Sequence, residues 1–346
     1  PVEACPEQGR RALRQAQGAH AEATSWWLRQ LVTVCDELPP DAVTACDRMG
    51  VYSPASACHH ESPHNPRRDG LQPLIDFVAK HPRLLVITGA GCSTAAGIPD
   101  YRDENGAWKQ REPMRYQVFT GDPVARKRYW ARSMLGWRTM ASALPTAAHH
   151  ALAQLERAGR INLLVTQNVD GLHQAAGSTN VVDLHGRIDT VCCLGCGVRS
   201  PRRALQEELT ARNPDWLALD ARSLADGDAD LEGRDFAAFD VPDCLTCGGL
   251  LKPDVVFFGE SVPRDRVATV RDALAQADAV LVAGSSLMVY SGYRFVEEAV
   301  AVGKPVAAIN RGRTRADSLL MLKVETEVGC AINVLAAEMK VLERSA

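Results

Sequence analysis

Three things are scarce in this 346-residue chain, and each scarcity excludes something. No run of about 18 apolar residues occurs, the length a helix needs to cross a bilayer, so no membrane partner is expected. Basic residues show no excess: 39 Lys and Arg against 42 Asp and Glu leave a formal charge of -3. Direct nucleic-acid binding calls for a basic face and is not expected either. Pairable cysteine is the third scarcity, because eleven Cys is an odd number and four of them fall into a metal-ligand pattern. That argues for a reducing compartment rather than a disulfide framework.

What is present is apolar bulk, 46% of the residues, enough to bury a large core and to divide into two units. Residues 1–70 stand apart: they carry Cys5, Cys35, Cys46, Cys58 and a Trp26-Trp27 pair, but no strand pattern. Cys46, Cys58, His59, His60 and His64 match no ligand spacing, so the segment reads as an N-terminal extension, disordered or loosely docked. From residue 71 the pattern alternates. Buried-strand runs at 83–88, 161–166, 181–184, 279–283 and 305–309 are separated by helical stretches at 71–80, 147–158, 264–277 and 292–302, with a closing helix at 330–342. Short apolar runs divided by helices predict an α/β fold, a Rossmann-like doubly wound parallel sheet covered on both faces. Its ligand belongs beyond the carboxyl ends of the strands.

The first strand runs into Gly89-Ala90-Gly91-Cys92-Ser93-Thr94. Glycines let a backbone turn sharply and approach a pyrophosphate. Thr94 stands where the dinucleotide fingerprint has its third glycine, and no Lys follows as in a P-loop, which disfavours an ATPase. Ile98-Pro99-Asp100-Tyr101-Arg102 then opens a long polar loop, suited to close over a ligand. Cys92 has no basic neighbour and reads as structural. The second strand ends in Gln167-Asn168-Val169-Asp170-Gly171 and the third in His185-Gly186. Each has a bland use, Asn168 and Asp170 as helix caps and His185 as a structural ring. Delivered to one crevice, the three suit a general base and its positioning partners around a ribose.

Two Cys-x-x-Cys pairs, Cys193 with Cys196 and Cys244 with Cys247, can present four thiolates in the closed tetrahedron of structural zinc. Cys192 adjoins the first pair but lacks the two-residue gap. Residues 197–243 separate the pairs, far more than the ~15–20 of a ribbon, and include a helical stretch at 201–212 and acidic residues around 226–235. The small inserted zinc-binding module is assigned to about 187–253.

These segments follow one another in a recognisable order, together with Lys252-Pro253-Asp254-Val255-Val256-Phe257-Phe258-Gly259-Glu260, Gly284-Ser285-Ser286-Leu287 and Ile309-Asn310. The chain resembles the sirtuins, NAD-dependent protein lysine deacylases, over about residues 71–340. The Lys252 to Glu260 run and Val289-Tyr290-Ser291-Gly292-Tyr293 look most like the class II branch, which includes a mitochondrial sirtuin and bacterial relatives. The resemblance implies a catalytic domain over 71–345 that releases nicotinamide and transfers the acyl group to ADP-ribose. It implies NAD and Zn as cofactors, acylated-lysine proteins as partners, a monomer, and a cytoplasmic location with the mitochondrial matrix as alternative. Mono-ADP-ribosyl transfer to protein from the same NAD site is the alternative activity.

Roles follow residue by residue. His185 would be the catalytic base, Asn168 would position the ribose, and Asp170 would hydrogen-bond the nicotinamide carboxamide. Gly89, Ala90, Gly91, Asp100, Tyr101 and Arg102 would line the nicotinamide and phosphate region, with Gln167 and Val169 beside Asn168. Gly284, Ser285, Ser286, Asn310, Arg311, Gly312 and Cys330 would hold the adenosine half. Val256, Phe257, Phe258 and Gly259 would pair by backbone with the substrate peptide. Tyr129 and Arg132, three apart in a helix expected over 125–140, resemble the Tyr-x-x-Arg pair of acid-selective sirtuins. That pair would favour bulky or carboxylated acyl groups over acetyl; a solvated Arg132 is the plain alternative.

Overall fold

The computed structural model describes residues 70–109, 113–217 and 235–345. The N-terminal extension and most of the acidic stretch in the insert lie outside them. The first helix, α1 (Gln72–Lys80), has Pro73 in its first turn, where a missing N–H costs nothing, and buries Leu74, Ile75, Phe77 and Val78. It leads into β1 (Leu84–Thr88), buried along its whole length. Then come α2 (Tyr116–Gly121), α3 (Pro123–Ser142), α4 (Ala147–Arg157), β2 (Ile161–Thr166), α5 (Leu172–Ala175) and β3 (Val181–Asp183). The middle of the chain forms β4 (Gly186–Cys193), β5 (Arg199–Pro201), α6 (Arg202–Arg212) and β6 (Leu251–Val255). It closes with α7 (Arg264–Gln276), β7 (Ala279–Ala283), α8 (Tyr290–Ala301), β8 (Val306–Ile309), β9 (Leu322–Val324) and α9 (Val328–Ser345).

Six strands form one sheet in the order β3-β2-β1-β7-β8-β9, every neighbouring pair parallel. Side chains alternate across a strand, and β1 shows it. Leu84 and Val86 join the core beneath α1, α4 and α9, while Leu85 and Ile87 join the core beneath α7 and α8. Truncating either buried pair leaves a cavity worth about 2–5 kcal/mol per Leu or Ile. The expected doubly wound sheet is therefore present. The chain winds outward from β1 to β3, then returns to β7 on the other side of β1. That reversal opens a crevice beyond the ends of β1 and β7.

The second layer is a three-stranded antiparallel sheet, β5-β4-β6. Helices α2 and α3, although earlier in sequence than the module, pack with it. Phe119, Tyr129, Trp130 and Met134 share a core with Val191, Leu205, Leu209, Phe239 and Phe257. Asp122 starts α3 by accepting from the N–H groups of Val124 and Ala125, at 2.8 and 3.1 Å. Trp130 Nε1 donates to the Leu251 carbonyl at 3.3 Å, fixing this helix to β6.

Candidate active site and cysteine cluster

The crevice at the strand reversal has a volume of about 1220 Å³. Its floor is made of backbone. Gly91 N–H donates to the Gly284 carbonyl at 2.9 Å, joining the loops after β1 and β7. A Cβ on Gly91 would lie 2.8 Å from Gly284 Cα, and one on Gly89 would lie 2.7 Å from Ser285 Cβ. Only glycine permits that approach, and it leaves a side-chain-free cradle of the kind a pyrophosphate needs. Thr94 in place of a third glycine is no obstacle, since residues 94–96 form a short 3-10 turn ending at Gly97, φ +81°.

Asn168 emerges from the end of β2 and is held by two bonds from its amide, to the Gly89 carbonyl and to Ser93 Oγ, both 3.0 Å. Ser93 Oγ in turn donates to Asp170 Oδ2 at 2.7 Å. Asp170 Oδ1 accepts from the Leu172 N–H at 2.9 Å, a local turn that leads into α5, whose N-cap position is Gly171. One oxygen of Asp170 thus shapes the entry to α5, and the other orders the glycine loop. Gln167 donates to Ser285 Oγ at 2.7 Å, tying the end of β2 to the loop after β7.

His185 follows β3 and lines the crevice. Its Nδ1 lies 2.9 Å from the Gln167 carbonyl, which can only accept, so Nδ1 carries the proton. Nε2 is then an acceptor, and Ser291 Oγ donates to it at 2.7 Å. Desolvation of the ring pushes its pKa down to about 4; the Gln167 carbonyl pulls the other way, while the Arg266 and Arg294 charges lower it further. At neutral pH the imidazole is uncharged, with its basic nitrogen turned into the crevice. The next residue, Gly186, has φ +85°, and a Cβ there would lie 1.9 Å from the Asp254 carbonyl oxygen. Glycine is what lets the chain turn from His185 straight into the second sheet.

The opposite wall is the segment after β6. Val256 N–H donates to the His185 carbonyl at 2.8 Å, and Tyr116 N–H to the Phe258 carbonyl at 2.9 Å. Beneath them, buried Lys252 donates from Nζ to the Val255 carbonyl at 2.5 Å and pairs with Glu260 at 3.1 Å. Glu260 also accepts from Phe257 N–H at 2.9 Å. A buried ion pair is costly unless its remaining valences are filled, and here they are filled by the backbone of residues 253–257. On the rim, the loop after Gly97 is ordered by Arg102 stacking on Trp108, 3.8 Å to the ring centre, and by Arg313 N–H donating to the Glu104 carbonyl at 2.8 Å.

Most of the expected cofactor residues line this crevice, among them Gly89, Ala90, Gly91, Asp100, Tyr101, Arg102, Gln167, Asn168 and Val169. So do Gly284, Ser285, Ser286, Asn310 and Arg311, and the expected substrate residues Val256, Phe257, Phe258, Gly259 and Tyr129. Asp170, Gly312, Cys330 and Arg132 do not. Gly312, φ +74°, acts through its backbone, since a Cβ there would meet the Glu104 carbonyl at 2.5 Å. Cys330 sits in the first turn of α9, its N–H bonded at 2.6 Å to Glu327, which does line the crevice. Tyr129 turns into the aromatic cluster of Phe119 and Phe257, while Arg132, three residues on, is half-buried.

Sequence reasoning missed Ser93 and Ser291. Both lie inside the quoted motifs, but a serine in a loop carries no signal of its partner until the fold delivers it. Cys92 is buried beneath the loop, and burial raises its thiol pKa to about 12, which leaves it inert at neutral pH and matches the structural reading.

The four module cysteines converge, their sulfurs all within 4.8 Å of one another. Cys193 and Cys247 Sγ are 3.5 Å apart, and Cys196 and Cys244 Sγ 3.8 Å. Four sulfurs at Zn–S distances of about 2.3 Å span tetrahedral edges of roughly 3.8 Å, so the set fits zinc. The N–H groups of Cys196 and Gly195 point at Cys193 Sγ, at 3.5 and 3.3 Å, the contacts that favour a thiolate there. Among the described residues this is the only such ligand group, and Cys192 is not part of it.

Fold and crevice together define a doubly wound α/β protein with a nucleotide-sized site at its strand reversal and a four-cysteine module. The chain belongs to the Sir2 family, which it matches over residues 89–291. It is 60% identical over 264 residues to NAD-dependent protein deacetylase 2 of Bradyrhizobium diazoefficiens, spanning 76% of this chain and 97% of that one. NAD-dependent protein deacetylase 1 of Streptomyces coelicolor is 51% identical over 253 residues, 73% of this chain and 85% of that protein. Among solved structures, one described as Sir2-p53 peptide-NAD+ superposes with a TM-score of 0.61 at 28% identity, covering 80% of this chain and 98% of that one. A Sir2 homolog-NAD complex gives 0.60 at 28% identity, covering 82% and 98%.

Proposed function

We propose that this protein is an NAD-dependent protein lysine deacetylase. The carrying observation is His185: a neutral imidazole, Nδ1 pinned to a backbone carbonyl, with Nε2 facing a crevice whose floor is glycine backbone. The bacterial relatives named above support the activity, and their source favours the cytoplasm over a mitochondrial matrix. NAD supplies, when bound, a ribose carbon that becomes electrophilic as nicotinamide departs. The rest belongs to the chain. Gly89, Ala90 and Gly91 accept the pyrophosphate against bare backbone. Asn168, locked to Gly89 and Ser93, holds the nicotinamide ribose, and Asp170 steadies that arrangement through Ser93. His185 Nε2 takes the proton of a ribose hydroxyl, for which Ser291 has to release its bond. Asp100, Tyr101 and Arg102 cover the reacting centre and keep water out.

On the other wall, Val256 to Gly259 add a substrate strand, braced from below by Lys252 and Glu260. Cys193, Cys196, Cys244 and Cys247 hold zinc as a structural ion. Tyr129 borders the crevice from α3, and a reach toward bulky or carboxylated acyl groups rests on it, Arg132 lying outside the lining.

The test is nicotinamide release from NAD with acetyl-lysine peptides, followed by mass spectrometry of both products. His185→Ala should lower turnover by about a hundredfold or more, in the range of a lost general base, while NAD still binds. Turnover within a few-fold of the parent would remove His185 from the role, and ADP-ribose appearing on protein without deacylation would favour the transferase alternative.

A further inference from the structure

The crevice has a branch that this reaction leaves unused. Helices α7 and α8 pack together and are joined by the Arg271–Glu298 ion pair at 2.6 Å. Arg264, Val267 and Arg271 recur at helical spacing on α7, as Ser291, Arg294 and Glu298 do on α8. Arg264, Arg271, Ser291 and Arg294 all line the crevice. The branch ends inside at Ser291, against His185 Nε2.

Its charges are unbalanced. Glu298 is committed to Arg271, and Glu260, on the neighbouring wall, to Lys252. Arg264 and Arg294 make no ion pair with any described residue. Arg294 Nε is buried and has no hydrogen-bond partner among the described residues, while its guanidinium extends over Tyr290, 5.4 Å to the ring centre. A buried donor left unmade costs free energy that a ligand can recover. Two free cations bordering a low-dielectric groove raise the local concentration of anions. The substrate wall continues from Gly259 through Ser261 and Val262 to Arg264, all along the crevice. On the proposed reading of that wall as the substrate strand, a peptide laid along Gly259 to Arg264 would run beside the branch.

We propose that the branch between α7 and α8 is a carboxylate subsite for the substrate, in which Arg294, with Arg264 at the mouth, binds a Glu or Asp side chain flanking the acyl-lysine. The inference rests on reading the crevice as an acyl-lysine peptide site. A carboxylate carried on the acyl tip has the same chemistry, and a guanidinium forks onto either.

The experiment uses the full chain with NAD. Labelled acetyl-lysine peptides, neutral elsewhere, carry Glu or Gln at each flanking position in turn, and a glutaryl-lysine peptide with neutral flanks forms the second arm. Peptide binding and nicotinamide release are both measured. Glu should bind roughly tenfold tighter than Gln at one position, the gap shrinking to about twofold or less in Arg294→Gln, recovering in part in Arg294→Lys, and narrowing with added salt. A glutaryl preference lost in Arg294→Gln but kept in Arg132→Met would identify the acyl tip as the occupant. Equal binding in both arms, or a glutaryl preference lost only in Arg132→Met, overturns the subsite. Turnover without any carboxylate preference sinks this inference and leaves the deacetylase reading standing; carboxylate-selective binding without nicotinamide release does the reverse.

Discussion

A single serine illustrates how far one residue can act on another's chemistry. Ser291 Oγ donates to the Nε2 lone pair that the proposed base would use. Ser291→Ala removes the donor and opens room for solvent, so the His185 pKa should rise toward its ordinary value near 6.5. In the proposed role as base, the ring works only when neutral. With the parent residue, the acid limb of kcat/KM should fall as pH drops through about 4, and in Ser291→Ala the same limb should lie at higher pH. Matching pH–rate profiles would show that the hydroxyl merely sits beside the ring. Gly186 gives a sharper case, since φ +85° and a 1.9 Å approach to a backbone oxygen leave no room for any side chain. Gly186→Ala should displace His185 from the crevice or prevent folding, read as lost soluble yield or lost activity; an unimpaired enzyme would contradict the turn geometry.

At the scale of elements, the parallel sheet was legible because its strands are short, apolar and buried on both faces. The run at 279–283 appears as β7 with the same bounds, and the helix expected at 264–277 appears as α7, one residue shorter. What the pattern could not carry was association. Periodicity ties α3 to no partner, yet Trp130 and Met134 belong to the core of the cysteine module. Likewise, Tyr129 and Arg132 share a helix at neighbouring spacing, but only Tyr129 reaches the crevice, because aromatic packing against Phe119 and Phe257 decides where it points. Spacing constrains an angle around an axis; it does not say what the axis packs on. The shared core has a consequence for the module. Cys193→Ser, or prolonged chelation, should loosen β4 and β6 and with them the α3 wall, lowering melting temperature and activity together. Elemental analysis should find one zinc per chain, lost in the variant. Absence of zinc from the pure protein would refute the assignment.

At the scale of the whole molecule, stability and the site share one buried polar cluster. His149 and His173 lie with ring centres 4.5 Å apart behind the glycine loop. His149 Nδ1 accepts from Thr146 N–H at 3.1 Å, Thr146 Oγ1 donates to the Cys92 carbonyl at 2.9 Å, and His173 Nε2 is 2.9 Å from Thr88 Oγ1 at the end of β1. His149 Nε2 and His173 Nδ1 find no partner among the described residues. Desolvation therefore lowers both pKa values, His149 to about 4 and His173 well below its ordinary value. The unfolded chain takes up these protons near pH 6.5, whereas the folded chain resists until far lower. Stability is complete above about pH 6.5 and falls as pH drops toward 4, by up to roughly 1.4 kcal/mol per pH unit for each ring. Urea unfolding at pH 7, 6 and 5 should show midpoints falling along that slope. In His173→Gln, which has no charge to acquire, the slope should flatten by about a third, the share of one ring in three, because the desolvated His185 adds to the same slope. Because Thr88 and Cys92 border the glycine loop, acidification should weaken NAD binding before the chain unfolds. A binding constant that stays level from pH 7 to 5 while the midpoint falls would uncouple the two.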